Sequence, residues 1–196
     1  MHFSLSPRRI AALILVPCLS ACSLAIEPPG KTDPGFFIGG FYGRSYPVIG
    51  SEVTRKDWGI DFGYGKPERH FRIGKIPAQL VYEGYYFGTR SEGIDHFPAF
   101  TESIFGGLAY ARYRWPRSHG IGIYADLGMG LIYADRSNRD LDSRIDSTPY
   151  LGLGIGIPSG KNEWLIGLSG LHMSNAGTKG NNQGINSLLF EIRYRL

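Results

Sequence analysis

A histidine and a serine stand two residues apart near the end of the chain, at His172 and Ser174. A serine hydroxyl becomes a good nucleophile only when a neighbouring base removes its proton, and an imidazole is the usual base. Residues two apart on a β-strand point to the same side of a sheet, so these two side chains would lie close together. The pair alone does not separate an esterase site from the polar rim of a strand.

The last segment of the chain shows which way the neighbouring side chains point. Apolar and polar residues alternate there, and the apolar set consists of Leu188, Phe190, Ile192, Tyr194 and Leu196. A period of two indicates a strand with one apolar and one polar face. Asn186 has the parity of the apolar set, and His172 and Ser174 have the parity of Trp164, Ile166 and Leu168. We therefore expect His172, Ser174 and Asn186 to project outward from the sheet.

Eight strand-like segments of this kind follow a polar leader, each close to the ~10 residues of a tilted membrane strand. The predicted segments are Phe36–Arg44, Lys56–Gly65, Ala78–Thr89, Ser103–Trp115, Ile121–Tyr133, Thr148–Ile157, Glu163–Ser174 and Ser187–Leu196.

The connections between these segments alternate in length, which indicates an outer-membrane barrel. Three are short and rich in turn formers: Lys66–Lys75, Pro116–Gly120 and Pro158–Asn162. The long polar ones are Arg44–Arg55, Arg90–Glu102, Ala134–Ser147 and Asn175–Asn186. The predicted fold is all-β, an eight-stranded antiparallel transmembrane β-barrel of the outer membrane, with its long loops outside the cell. Side chains fill the lumen of so small a barrel, so transport is not expected.

The first residues predict an export signal, which is left out of the fold. Arg8 and Arg9 precede a short apolar run, and small residues follow, so residues 1–25 are predicted to be removed by cleavage after Ala25. The alternative is a lipobox with cleavage before Cys22 and lipidation of that residue. Residues 26–196 then form a single β-barrel domain in the outer membrane of a Gram-negative cell.

Composition narrows the partners and cofactors. The chain has 21 Lys and Arg against 17 Asp and Glu, and removal of Arg8 and Arg9 leaves 19 against 17, which argues against nucleic acid. Cys18 and Cys22 are the only cysteines, and both precede the predicted barrel, so no disulfide or thiolate site is expected there. The remaining histidines show no ligand spacing, and no metal site is predicted.

The segment from His172 to Asn186 reads HMSNAGTKGNNQGIN and resembles the signature of the outer-membrane lipid A 3-O-deacylase family. That family consists of eight-stranded barrels with a Ser-His-Glu site on the outer surface. The resemblance implies that His172 is the general base and Ser174 the nucleophile, and that Asn175 is needed for activity. It also implies that Asn182 and the backbone around Gly177 help to stabilise the oxyanion.

The resemblance further implies a reaction: hydrolysis of the ester that holds the 3-hydroxyacyl chain at position 3 of lipid A, without cofactor or metal. The predicted partner is lipid A or whole lipopolysaccharide in the outer leaflet, with a homodimer as a further option.

One residue departs from the family pattern, because Asn186 stands where the acidic member of the triad is expected. An asparagine can hold an imidazole by a hydrogen bond but does not offset the charge of an imidazolium, and the same change in a serine protease costs about 10⁴ in rate. The site tolerates the amide, works slowly, or borrows another carboxylate; Glu191 is nearest in sequence, but its parity points inward. From the sequence, Asn186→Glu is expected to preserve or raise activity.

Two other functions remain open at this level. One is a catalytically silent barrel that binds lipopolysaccharide or stabilises the membrane, which Asn186 favours. The other is an adhesin-like barrel that presents Arg90–Glu102 and Ala134–Ser147 to partners.

Overall fold

The computed structural model describes residues 33–48, 51, 53–92, 99–116, 120–137, 140–141, 143–178 and 183–196. The predicted export signal, its two alternative cleavage sites and Asn182 lie outside the described residues, so these predictions stand as they are. Within the described ranges, no helix is long and apolar enough to cross a membrane.

Eight antiparallel strands form a closed barrel in which each strand pairs with its neighbours in the chain and the first pairs with the last. All eight predicted strands are confirmed. They are β1 (Gly35–Ser45), β2 (Arg55–Ile73), β3 (Ile76–Ser91), β4 (Thr101–Pro116), β5 (Gly122–Ala134), β6 (Ile145–Ser159), β7 (Asn162–Met173) and β8 (Ile185–Arg195). We call the end of the barrel that carries the long connections the loop end, and the opposite end the turn end.

The predicted connection Lys66–Lys75 is wrong, because β2 continues through most of it. The strand runs to Ile73 with a register shift between Glu68 and Arg72, and only two residues separate β2 from β3. Gly74 adopts a positive φ of 60° there, which suits a tight turn. Most of this extension is exposed on both faces, so it lacks the alternation that identifies a strand in a sequence.

The barrel is apolar outside and encloses both charged and apolar side chains. Phe62 is 68% exposed and Leu131 is 63% exposed, whereas the side chains of Arg112 and Arg193 in the lumen are at most 2% exposed. So continuous an apolar outer surface is unfavourable in water and suits a hydrocarbon environment. The outward and inward faces are those expected from the parity of the last strand.

Side chains fill the lumen, as expected for eight strands, and ion pairs lie among them. Arg193 contacts Asp61 at 2.9 Å, Glu83 at 3.1 Å and Glu191 at 2.5 Å. The Arg193 guanidinium therefore has three carboxylates within hydrogen-bonding distance, which offsets the cost of burying its charge.

A second buried ion cluster closes the loop end of the lumen. Arg55 of β2 contacts Glu102 of β4 at 3.3 Å and Asp140 of the β5–β6 connection at 2.7 Å, with all three side chains inaccessible to solvent. The main-chain carbonyl of Asp140 also accepts a hydrogen bond from the Gly184 N–H at 2.8 Å. The β5–β6 connection is thus folded into the barrel mouth and attached to the residues that lead into β8.

Candidate active site at the loop end of β7 and β8

His172 and Asn186 lie directly opposite each other, near the end of β7 and at the beginning of β8. Opposed residues of an antiparallel pair share one face of the sheet. The outward neighbours on that face, Leu168 and Leu188, are both exposed. His172 and Asn186 therefore point outward, as the parity of the sequence predicted.

Ser174 comes directly after β7 and continues the register in which β6 pairs with β7. It forms an isolated bridge with Ser147 through two main-chain hydrogen bonds of 3.0 and 2.8 Å. Ser147 has the parity of Ile145 and Leu151, which are exposed on the outer face of β6. Ser174 therefore shares the outer face with His172, although only 6% of it is exposed.

The His172 ring is held by the side chain of Asn186. Its Nδ1 lies 2.6 Å from Asn186 Oδ1, and Asn186 Nδ2 donates to the main-chain carbonyl of Val48 at 2.5 Å. An imidazole that donates from Nδ1 keeps the lone pair of a base on Nε2. Across the described part of the chain, no hydrogen bond joins the His172 ring to the Ser174 hydroxyl. Such bonds often tighten only once a substrate is bound.

A tight turn follows Ser174 and depends on Asn175. The buried Asn175 accepts the Gly177 N–H through its side-chain Oδ1 at 2.9 Å, and its carbonyl accepts the Thr178 N–H at 3.0 Å. Ala176 and Gly177 have positive φ angles of 53° and 76°. Asn175 therefore shapes the turn, and the Gly177 N–H is engaged within it. The predicted role of the Gly177 backbone at an oxyanion stays a prediction and requires that bond to open.

A groove on the outer wall of the barrel runs beside His172 and Asn186. Its volume is about 440 Å³, and its lining is mainly apolar, including Leu127, Leu151 and Leu188. Gly170 leaves part of the wall open, because a Cβ placed there would meet no atom within 4 Å. The groove lies on the outer face of the barrel, and the imidazole of His172 is part of its lining.

Gly184 is a site residue that the sequence did not single out. Its φ is +75°, and a Cβ at this position would lie 2.8 Å from His172 Cε1 and 2.8 Å from the carbonyl oxygen of Met173. Only glycine leaves room for the imidazole here. The sequence shows a glycine two residues before Asn186. That alone does not indicate that the glycine contacts the imidazole of His172 on β7.

Glu191 is not the missing carboxylate of the site. It lies on the inner face of β8, where the Ser169 hydroxyl donates to it at 2.5 Å and Arg193 pairs with it. Asn186 is therefore the residue that contacts the imidazole. Across the described ranges, no group of three or more His, Cys, Asp or Glu side chains is arranged to hold a metal ion.

Comparison with known proteins identifies the family and supports the fold. A family model described as Lipid A 3-O-deacylase (PagL) matches residues 51–195, a segment that contains every predicted site residue. The crystal structure of the outer membrane enzyme PagL is similar, with a TM-score of 0.61 at 18% identity, over 80% of this chain and 97% of that one. Neisserial surface protein A (NspA) gives a TM-score of 0.57 at 13% identity, over 86% and 99%. At these identities the two structures show the barrel fold. A search of curated proteins gave no match.

Proposed function

The chain belongs to the lipid A 3-O-deacylase family, and from this we propose that it is an outer-membrane serine esterase that removes the 3-O-linked 3-hydroxyacyl chain from lipid A. The observation that carries the proposal is the hydrogen bond of 2.6 Å between His172 and Asn186 on the lipid-facing wall. Polar groups on a surface that faces hydrocarbon are costly to place there and usually serve a function.

The proposed reaction proceeds in two steps through an acyl-enzyme. Ser174 Oγ attacks the ester carbonyl carbon while its proton passes to His172 Nε2, and collapse of the tetrahedral intermediate breaks the bond to the sugar oxygen. His172 returns the proton to that oxygen. A water molecule, deprotonated by His172, then attacks the acyl-enzyme and releases the 3-hydroxy fatty acid, and the proton returns to Ser174.

The groove supports a lipid as the substrate. Its lining combines apolar side chains such as Leu127 and Leu151 with the His172 imidazole. A fatty acyl chain lying along this wall remains in an apolar environment while its ester lies next to the polar residues. Because the site is at the loop end, which outer-membrane barrels direct to the cell exterior, the accessible lipid is lipid A of the outer leaflet.

The contact between Asn186 and His172 favours catalysis over a silent barrel. An unsupported imidazole would take several orientations, whereas the amide oxygen holds this ring in one. An amide in this role occurs in Cys-His-Asn hydrolases. The homodimer stays a prediction.

The experiment is expression in a Gram-negative host whose lipid A retains all its acyl chains, with the lipid A then analysed by mass spectrometry. We expect loss of the mass of one 3-hydroxyacyl chain with the wild-type chain and no loss with Ser174→Ala. Ser159→Ala is the matched control, because Ser159 is exposed at the turn end of β6. Unchanged lipid A in cells that hold the folded wild-type barrel in the outer membrane would contradict the proposal.

A further inference from the structure

We infer that the main-chain carbonyl of Val48 is a positioning group of this site, and that it makes an amide at position 186 functionally superior to a carboxylate. The inference rests on the proposed function and adds a residue from the β1–β2 connection to it. Val48 is distant from the other site residues in the chain, and it also lines the groove beside His172.

The two hydrogen bonds of Asn186 determine which way its amide points. The carbonyl of Val48 can only accept, so the atom 2.5 Å from it must be the amide nitrogen. The amide oxygen then faces His172 Nδ1 at 2.6 Å. Because that oxygen can only accept, Nδ1 must carry a proton, and in the neutral imidazole Nε2 then carries the lone pair. The tautomer of the base is thus determined by a carbonyl that does not touch the imidazole.

The Val48 carbonyl is itself held in place by the surrounding main chain. It accepts the Ser51 N–H at 3.2 Å, and the Val48 N–H donates to the Tyr46 carbonyl at 2.8 Å. The Tyr46 N–H donates to the main-chain carbonyl of Asn186 at 2.9 Å. The β1–β2 connection is therefore attached to Asn186 through both its main chain and its side chain, so the carbonyl is positioned before any substrate binds.

A carboxylate at position 186 would place an oxygen, which can only accept a hydrogen bond, against the Val48 carbonyl, which can also only accept. In Asn186→Asp, which preserves the shape of the side chain, an oxygen would replace the nitrogen at 2.5 Å from the Val48 carbonyl. No proton is available between these two oxygens, so the carboxylate must rotate or the connection must move. Either change removes the hydrogen bond that orients His172. This contact reverses the expectation drawn from the sequence, and we now expect Asn186→Glu to lower activity as well.

The test compares wild type with Asn186→Asp and Asn186→Ala in refolded barrels, with two readouts. The first is kcat and KM for deacylation of lipopolysaccharide vesicles. The second is the ¹⁵N spectrum of the His172 ring, assigned with His172→Gln, which reports the tautomer. Asn162→Asp is the matched control, because Asn162 Nδ2 donates to the Tyr194 hydroxyl at the turn end.

We expect the wild-type ring to be protonated on Nδ1 and unprotonated on Nε2. Asn186→Asp should lower kcat by about tenfold or more with little change in KM, because a misdirected base slows chemistry more than binding. Asn186→Ala should lower kcat and give a mixture of tautomers. The control should retain the wild-type kcat and the wild-type tautomer.

Two results would overturn the inference: wild-type or higher kcat in Asn186→Asp, or an Nε2-protonated ring in the wild type. Failure of the proposed function gives a different pattern. If no barrel deacylates lipid A but the wild-type ring is protonated on Nδ1 and loses that preference in Asn186→Ala, the positioning role stands and the esterase proposal fails.

Discussion

Replacing Gly184 by alanine should disable the site by moving His172 while leaving every catalytic group in the chain. The added Cβ would lie 2.8 Å from His172 Cε1 and 2.8 Å from the carbonyl oxygen of Met173. The backbone of Gly184 is also held at a φ of +75°, and its N–H is bonded to the Asp140 carbonyl at 2.8 Å. The backbone therefore has little freedom to withdraw, and we expect the imidazole to move instead.

The size of the effect follows from these distances. Carbon atoms in contact are ordinarily about 3.5–4.0 Å apart, so the ring must shift by roughly 0.7 Å or more. A misplacement of about 1 Å at a reacting group costs up to about 10²-fold in rate, so we expect kcat/KM to fall by about 10- to 100-fold. The left-handed backbone conformation adds a cost of about 1–2 kcal/mol to stability, because alanine carries a Cβ.

The assay measures kcat/KM on lipopolysaccharide vesicles together with the urea midpoint of unfolding in lipid. Gly160→Ala is the matched control, since Gly160 has a φ of +64° and a Cβ there would meet no atom within 4 Å. Both variants should lose stability through the left-handed φ, and Gly184→Ala should lose more because of its contact with the Met173 carbonyl. Only Gly184→Ala should lose activity. Wild-type kcat/KM in a folded Gly184→Ala barrel would refute the reasoning, as would an equal loss of activity in the control.

Three further variants test other parts of the structure. Asn175→Ala should lower kcat, because the turn after Ser174 loses the side-chain oxygen that accepts the Gly177 N–H. Asn175→Asp keeps such an oxygen and should retain more activity. Equal kcat in the two variants would contradict this role of Asn175. Arg193→Met should lower the free energy of unfolding by about 3–5 kcal/mol in a urea titration, since it leaves the lumen carboxylates without their partner, and an unchanged midpoint would argue against it. Gly170→Leu should narrow the groove and lower kcat/KM for substrates with long acyl chains more than for those with short ones. A comparison of lipid substrates of different chain length would measure this difference. Equal losses for long and short chains would exclude the groove as the binding site of the acyl chain.

The fold was predictable because outward and inward residues alternate in the transmembrane parts of the strands. The alternation from Leu188 to Leu196 gave the orientation of β8, and the same parity placed His172 and Asn186 on the outer face. The extension of β2 to Ile73 was missed because most of it is exposed on both sides and so carries no period. Alternation of apolar and polar residues shows which face of a strand is buried. It therefore cannot identify a strand whose two faces are both exposed to solvent.

The candidate site was predictable only as far as its local segment reaches. His172, Ser174 and Asn186 lie within fifteen residues of each other, so spacing and resemblance could identify them. Val48 lies in a remote segment and offers a main-chain carbonyl, which every residue type possesses, so nothing in the sequence marks it. Gly184 lies within the local segment, but a glycine in the sequence does not show which side chain occupies the space beside it.

The pairing of β1 with β8 has a consequence for when the candidate site can first form. Val48 follows the first strand and Asn186 begins the last, so the amide meets its carbonyl only when the two ends of the sheet are joined. A chain in which β1 and β8 have not yet paired therefore lacks the contact that orients the His172 ring, even though the ring itself is present. Under the proposed function, closure of the barrel is the step that completes the active site.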